Sequence, residues 1–248
     1  MIKYGEFSEL ESLFFSQIIR AGDCVVEVGA NIGAHTVSLA RQVGSQGHVI
    51  AIEPQPPIFR IMCANLALNS VTNVTTVQCG CGEKESVFYV PEIDYAPVGV
   101  TNFGGVSLAP ELGTGRGAEV RVRSLDDVVG TRRVDVLKID VEGMEEDIIK
   151  GAENLLRDSR PLLYVENDRV EKSRSLILQL QALDYRLFWH GPLLFNTANY
   201  FNDDENIYEG LASMNMFCVP RERAMTEGLE DIHEVVDPDW HPFAAHLN

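Results

Sequence analysis

Carboxylate and amide side chains follow several short apolar runs, at points where the chain should leave a buried strand. They are Glu53, Asp140, Glu166 and Asn167. Side chains of these types can accept hydrogen bonds from ligand hydroxyls, act as a general base or bind a hard divalent cation. Open α/β sheets bind ligands beyond the carboxyl ends of their strands. The sequence therefore predicts an acidic ligand site at that edge of a sheet.

The clearest local pattern is VVEVGANIG at residues 25–33, an apolar run that enters a glycine-containing turn before a helical stretch. Glu53 lies 20 residues beyond Gly33, at the end of the next apolar run. Such a turn lets the backbone approach a ligand, and an acid at the second strand end can accept hydrogen bonds from both ribose hydroxyls. The pattern predicts a cofactor that contains a nucleoside.

The turn differs from the one that holds the pyrophosphate of a dinucleotide. That motif is G-x-G-x-x-G, whereas Asn31 and Ala34 take the places of its second and third glycines. Glu27 and Glu53 make the site acidic, which suits a ligand with a sulfonium and an ammonium better than one with two phosphates. We therefore expect S-adenosylmethionine. The alternative is that the glycines only allow close helix packing and that Glu53 is a solvated strand end.

Three stretches give the sequence a family resemblance: EVGANIGAHT at residues 27–36, IEP at 52–54 and VDVLKIDVEGMEEDIIKGAENLL at 134–156. Together they resemble the FkbM family of S-adenosylmethionine-dependent methyltransferases, over residues 25–219. The resemblance implies O-methylation of sugars, polyketides or other secondary metabolites. It also implies a seven-stranded sheet whose last strand is antiparallel.

The resemblance further implies a cofactor site with the methionine moiety at the turn and the ribose at the next strand end. The residues carried over are Glu27, Gly29, Asn31, Gly33 and Thr36 around the turn, with Glu53 on the ribose. Thr36 is alternatively a local cap, because Thr is common at the start of a helix. No acid follows the third predicted strand, so we expect adenine to contact backbone groups or Cys79.

Asp140 is the main catalytic candidate, because it stands at a strand end beside the expected cofactor and can position or deprotonate an acceptor hydroxyl. Lys138 shares its side of the strand, so a structural ion pair is the competing interpretation. Glu142 is a second candidate, with capping of a helix near Gly143 as the alternative. His190 follows a predicted strand near the cleft and is a third, with packing beside a tryptophan as the alternative.

A divalent cation is a further expectation. Asp140, Glu166 and Asn167 are similar to the two aspartates and the asparagine with which catechol-type O-methyltransferases hold magnesium. Such an Mg²⁺ ion would lower the pKa of the acceptor hydroxyl. His35, in the first helical turn, is expected to be part of the site wall. The resemblance implies a place in a substrate loop for Asn102, and a simple turn is the alternative.

Alternating apolar runs and helical stretches predict an α/β fold with a mostly parallel sheet covered by helices on both faces. The resemblance implies that this is the Rossmann-like fold of class I methyltransferases. The predicted helices are residues 8–20, 34–43, 57–69, 144–156 (bent near Gly151) and 173–183. The predicted strands are residues 24–28, 49–52, 74–78, 134–139, 162–165, 185–189 and 214–219. The last strand follows a loop without a clear helix, so it should pair antiparallel. Residues 86–123 predict a hairpin-bearing insertion on the substrate side, with β-like pieces at 87–90, 106–108 and 120–122.

The 248 residues, 45% of them hydrophobic, are enough for one core, so we expect one domain over residues 1–248. An N-terminal helix would occupy 1–22 and a peripheral tail 222–248. The net charge of −17 repels phosphate backbones and anionic lipids, which excludes nucleic acid and membrane surfaces as expected partners. Five cysteines and the lack of a long apolar run predict reduced thiols and a cytoplasmic location.

Three functions are compatible with these observations. The favoured one is O-methyl transfer from S-adenosylmethionine to a hydroxyl of a small molecule. An NAD-dependent oxidoreductase would share the strand, turn, helix and ribose acid, but the residue at Asn31 and the motif around Asp140 oppose it. A non-catalytic nucleoside-binding scaffold of the same fold is the third. The sequence indicates neither which molecule accepts the methyl group nor the oligomeric state.

Overall fold

The computed structural model describes residues 3–90, 117–225, 229 and 232–246, which form a large sheet with helices on both faces and a small sheet beside it. The helices are α1 (Glu9–Ile18), α2 (Ala34–Val43), α3 (Pro56–Leu68), α4 (Leu125–Val129), α5 (Glu145–Lys150), α6 (Glu153–Ser159) and α7 (Val170–Ala182), with a 3₁₀ helix at Pro242–His246. The strands are β1 (Cys24–Val28), β2 (His48–Ile52), β3 (Val74–Val77), β4 (Gly80–Cys81), β5 (Ser86–Val90), β6 (Ala118–Arg123), β7 (Val136–Ile139), β8 (Leu162–Glu166), β9 (Tyr185–His190), β10 (Asn215–Pro220) and β11 (Ile232–Glu234).

The large sheet has the strand order β11-β9-β10-β8-β7-β1-β2-β3. The strands from β8 to β3 in this order are parallel neighbours. β10 runs antiparallel to both β8 and β9, which confirms the antiparallel pairing expected for residues 214–219. The expected count of seven strands is not confirmed, because the tail, predicted to be peripheral, contributes an eighth strand, β11, that pairs antiparallel with β9.

The insertion after β3 contributes to a separate three-stranded sheet. β5 and β6 pair antiparallel, and β4 pairs parallel with β6. The pieces predicted at 87–90 and 120–122 are therefore strands, but β4 joins them, so they form more than the expected hairpin. The piece predicted at 106–108 and the substrate-loop residue Asn102 lie outside the described residues.

Neighbouring residues of each central strand pack into different cores, because successive side chains of a strand point to opposite faces. Val25 of β1 packs with Phe14 and Phe15 of α1 on one face. Val26 packs on the other face with residues of α5, α6 and α7, such as Leu176. Both faces are therefore buried, which explains why these strands read as continuous apolar runs.

The helix predicted at residues 144–156 is interrupted at Gly151, where α5 ends and α6 follows. A Cβ at Gly151 would lie 2.0 Å from the carbonyl oxygen of Gly82, so this glycine lets the chain pass close to the end of β4. All five cysteines are free thiols. Within the described part of the chain, no helix has the length and apolar character needed to cross a membrane.

Candidate active site

The turn after β1 is held between the ends of β2 and β7. The N–H groups of Gly29 and Ala30 donate to the carbonyl oxygen of Ile52, at 3.0 and 2.9 Å. The N–H of Asp140 donates to the carbonyl oxygen of Val28 at 3.0 Å. Gly29 has a φ of +82°, and a Cβ there would lie 1.8 Å from the carbonyl oxygen of Asp140. The turn can approach β7 this closely because position 29 carries no side chain.

Asn31 takes the place of a glycine of the dinucleotide motif, and it can adopt the backbone conformation that this place requires. Its φ is +49°, in the left-handed region that Asn adopts more readily than most residues. The Asn31 side-chain oxygen accepts a hydrogen bond from the N–H of Ile32 at 2.8 Å. At Gly33, where α2 begins, a Cβ would lie 2.9 Å from Cγ of Met62, so α2 packs closely on α3 there.

Glu53 is a buried carboxylate that two backbone groups hold in place. Its oxygens accept hydrogen bonds from the N–H of Asn31 at 3.0 Å and from the N–H of Gln55 at 2.9 Å. Burial disfavours the charged form and outweighs these hydrogen bonds, so the pKa of Glu53 rises to about 7. A carboxylate offers about four acceptor positions, so Glu53 can still accept hydrogen bonds from a ligand.

Lys138 is a fully buried cation between two acids. Its Nζ lies 2.7 Å from the carboxylate of Asp140 and 3.9 Å from that of Glu27. The hydroxyl of Thr36 donates to the other oxygen of Glu27 at 2.6 Å. Burial alone would lower the pKa of Lys138, but the charges of Asp140 and Glu27 outweigh it and raise that pKa. Burial raises the pKa of Glu27, and the charge of Lys138 opposes this rise.

A cavity of about 390 Å³ opens at the carboxyl ends of β1, β2, β7 and β8. Its volume lies in the range of roughly 300–1,000 Å³ that is typical of small-molecule sites. Seven predicted site residues line it: Glu27, Gly29, Asn31, Glu53, Asp140, Glu142 and Glu166. Cys79 and Cys81 form the wall after β3, where the sequence offers no acid.

Two further acids stand near Asp140. Burial, followed by the charges of Asp140 and Asp168, raises the pKa of Glu166 to about 10, so Glu166 is protonated at neutral pH. Glu142 forms an ion pair with Arg169. Just before α5, whose N-cap is Met144, the N–H of Gly143 donates to the carboxylate of Glu145 at 3.0 Å.

Comparison with known proteins shows the family of this chain. The family model described as a methyltransferase FkbM domain matches residues 27–187. The chain belongs to the FkbM family. Methyltransferase 1 of Beauveria bassiana is 29% identical over 146 residues, which are 52% of this chain and 58% of that protein. Methyltransferase sdnD of Sordaria araneosa is 25% identical over 196 residues, which are 61% of this chain and 73% of that protein.

Among solved structures, a precorrin-6y methyltransferase from Geobacter metallireducens has a TM-score of 0.52 at 14% identity, covering 85% of each chain. At this identity the likeness shows the fold alone, a class I methyltransferase-like α/β fold. The matched part spans little more than half of the Beauveria protein.

Of the cofactor residues that the FkbM resemblance implies, two do not line the cavity. Thr36 is fully buried, and its hydroxyl donates a hydrogen bond to Glu27. It therefore holds an acid of the cavity wall in place. Gly33 lies behind the wall against Met62. Both residues shape the site through their neighbours, whereas Glu27, Gly29, Asn31 and Glu53 stand on its surface.

His190 is expected near the cleft, and the structure buries it without placing it among the residues that line the cavity. Its Nδ1 is 2.7 Å from the phenolic oxygen of Tyr164. Its ring stacks on Phe14 of α1, with 4.3 Å between ring centroids. These contacts fit the packing alternative, although these two ring partners are a phenylalanine and a tyrosine and not a tryptophan.

The expected magnesium ligands are not brought together. Asp140 and Glu166 line the cavity, but the side-chain amide of Asn167 donates to the hydroxyl of Ser173 at 3.0 Å and contacts Met216. Within the described ranges, no group of three or more His, Cys, Asp or Glu side chains is arranged to hold a metal ion. Asn167 does not line the cavity with these two acids, so the expected magnesium site is not supported.

Several wall residues were missed by the sequence analysis. Phe7, Leu194 and Ser213 line the same cavity as the turn after β1, although Phe7 comes from the N-terminal segment and the other two from the loop between β9 and β10. No motif or spacing marks them, because their position depends on long-range packing. His35, expected to be a wall residue, does line the cavity.

Proposed function

We propose that the protein transfers the methyl group of S-adenosylmethionine to a hydroxyl of a small molecule. The observation that carries the proposal is that the family turn, Glu53 and Asp140 meet in one cavity of about 390 Å³. Membership of the FkbM family supports methyl transfer, and the named methyltransferase relatives support it as well.

The residues of the cavity fit this cofactor. Gly29 lets the turn lie against the end of β7 on the cavity surface, and Glu53 can accept hydrogen bonds from ribose hydroxyls. Glu27 and Asp140 supply negative charge where a sulfonium and an ammonium need it, with Lys138 as the opposing cation. The wall formed by Cys79 and Cys81 would face the adenine.

The acceptor would react at Asp140. The bound cofactor supplies a methyl group on a positively charged sulfur. The Asp140 side chain is 41% exposed, so its carboxylate can accept a hydrogen bond from the acceptor hydroxyl and take its proton as the oxygen attacks. The buried ammonium of Lys138 donates a hydrogen bond to that carboxylate and holds it in place. Glu166, protonated at neutral pH, can donate a hydrogen bond to a second oxygen of the acceptor.

Glu142, fixed by Arg169, is a second acid at the same edge and would orient the acceptor. None of these proposed roles requires a metal ion. The net charge of −17 argues against nucleic acid and membrane surfaces as partners, and the free cysteines suit a reducing compartment such as the cytoplasm.

Calorimetric titration with S-adenosylhomocysteine, with NAD in parallel, tests the cofactor. We expect S-adenosylhomocysteine alone to bind. Binding of NAD alone would support the oxidoreductase instead, and binding of neither would refute the assignment of the turn as a nucleoside site.

The role of Asp140 is tested by methyl transfer from radiolabelled S-adenosylmethionine to a panel of sugars, phenols and polyketide alcohols, with and without Mg²⁺. The Asp140→Asn variant should lose at least about a hundredfold in rate. The matched control is Asp147→Asn, which removes an exposed acid paired with Lys150 outside the cavity. A full rate for Asp140→Asn would refute the catalytic role. Cofactor binding without transfer to any acceptor would favour the scaffold.

A further inference from the structure

Part of the cavity wall comes from outside the region that the family model matches. Phe7 precedes residues 27–187, and Leu194 and Ser213 follow them. We propose that these three residues, here called the acceptor wall, contact the methyl acceptor and select an uncharged hydroxyl compound with an aromatic or alkyl face. This inference rests on the proposed function and names its acceptor class.

The two segments that carry the acceptor wall are bound to each other. The hydroxyl of Tyr4 donates to the carbonyl oxygen of Glu205 at 2.8 Å and accepts from the N–H of Ile207 at 3.0 Å. The Tyr4 ring packs against those of Phe195 and Tyr208, with centroid distances of 5.4 and 5.7 Å. The N-terminal segment and the loop between β9 and β10 therefore form one continuous surface.

This surface has a fixed position relative to the cofactor turn. Glu11 of α1 lies 3.0 Å from Nε2 of His35, in the first turn of α2, and accepts a hydrogen bond from the side-chain amide of Asn215 at 2.9 Å. The ring of Phe7 meets that of His35 edge-on, with 5.5 Å between centroids. The N-terminal segment, α1 and the start of β10 are thus connected to the first turn of α2, next to the turn after β1.

The acceptor wall offers mainly apolar surface to a ligand. Phe7 is 46% exposed and Leu194 is half-buried, and both line the cavity. The hydroxyl of Ser213 is already engaged by Asn215 at 2.9 Å and by Glu11. An aromatic or alkyl face would remove the Phe7 and Leu194 surfaces from water, which favours binding. Asp140, which lines the same cavity, would repel an anionic acceptor.

The inference is tested with 2-naphthol, an uncharged hydroxyl compound with an aromatic face, and with methyl glucoside, which has hydroxyls but no such face. Each is titrated into the full chain saturated with S-adenosylhomocysteine, by calorimetry. We expect 2-naphthol to bind more tightly than methyl glucoside. Phe7→Ala and Leu194→Ala should each weaken 2-naphthol binding by about tenfold, a change of about 1.4 kcal/mol. S-adenosylhomocysteine affinity should stay within about twofold in both variants.

Leu68→Ala is the matched control, because Leu68 is 82% exposed at the end of α3 and does not line the cavity. Unchanged S-adenosylhomocysteine affinity also shows that the variants fold. Tighter binding of methyl glucoside, or 2-naphthol affinity unchanged in both wall variants, would overturn the acceptor wall. Loss of S-adenosylhomocysteine binding in the wall variants would also overturn it, by assigning these residues to the cofactor. If S-adenosylhomocysteine fails to bind the unaltered chain, the proposed function itself fails, which separates the two failures.

Discussion

The Lys138→Met substitution would keep most of the length of a buried side chain while removing the charge between Asp140 and Glu27. The two acids lie 2.7 and 3.9 Å from the ammonium, and Glu27 is fully buried. Removing one partner of a buried ion pair costs about 3–5 kcal/mol. Because Asp140 is partly exposed and water can replace the lost contact there, we expect the free energy of unfolding to fall by about 3 kcal/mol at about pH 8.

The loss should depend on pH through Glu27. Burial raises the pKa of Glu27, and removal of the Lys138 charge would raise it further. A carboxyl group whose pKa is higher in the folded state binds a proton on folding, so its contribution to stability is greatest at low pH and is lost as the pH rises. The destabilisation should therefore be smaller at about pH 5.5 than at about pH 8.

Urea unfolding followed by tryptophan fluorescence measures both quantities. The control is Lys150→Met, which removes an exposed partner of Asp147 at 3.0 Å and should cost at most about 1 kcal/mol. A Lys138→Met loss no larger than that of the control, or a loss that grows on acidification, would refute the role of Lys138 as the balancing charge of the site.

Three further predictions concern the cavity. Gly29→Ala should abolish S-adenosylhomocysteine binding in calorimetry. The control is Gly44→Ala, which should keep it, because Gly44 also has a positive φ, +67°, but a Cβ there would meet open space in the described structure. Equal affinities of the two variants would contradict the close contact between Gly29 and Asp140. Glu166→Gln should have a larger free energy of unfolding in urea than the unaltered chain, and the difference should grow from about pH 5 to about pH 9. The reason is that folding of the unaltered chain requires Glu166 to keep a proton that it would lose in the unfolded state. A difference that does not change with pH would contradict the raised pKa. Glu53→Gln should weaken S-adenosylhomocysteine binding about tenfold at about pH 8 and remove the fall in affinity expected below about pH 7; an unchanged pH profile would exclude Glu53 as the titrating group.

Most strands of the large sheet could be predicted from the sequence, because the central ones are continuous apolar runs. Seven apolar runs correspond to β1, β2, β3, β7, β8, β9 and β10. β11 could not be predicted, because it has only three residues, Ile232–Glu234, of which two are polar or charged. It is a strand because it pairs with β9. The helix α4 was missed because five residues give no helical period, although Ser124 accepts a capping hydrogen bond from the N–H of Asp127.

The candidate site was predictable where function depends on local backbone geometry. The turn at Gly29 follows β1 and Glu53 follows β2, and these two strands are parallel neighbours. The spacing of the two residues in the sequence therefore predicts that they lie close together. Long-range packing decided the rest. The helix α1 covers His190, and Ser173 of α7 engages the amide of Asn167. Phe7 reaches the cavity through contacts made by the N-terminal segment, which no local pattern encodes.

The eighth strand has a consequence for self-association. An exposed sheet edge presents unpaired N–H and C=O groups on which another chain can add a strand. Among the residues that the structure describes, β11 covers the six-residue strand β9, and the outermost strands of the sheet are the three-residue β11 and the four-residue β3. Short edges offer few such groups. The tail of the chain therefore protects the protein against edge-to-edge aggregation, and its removal would expose β9 as a template for it.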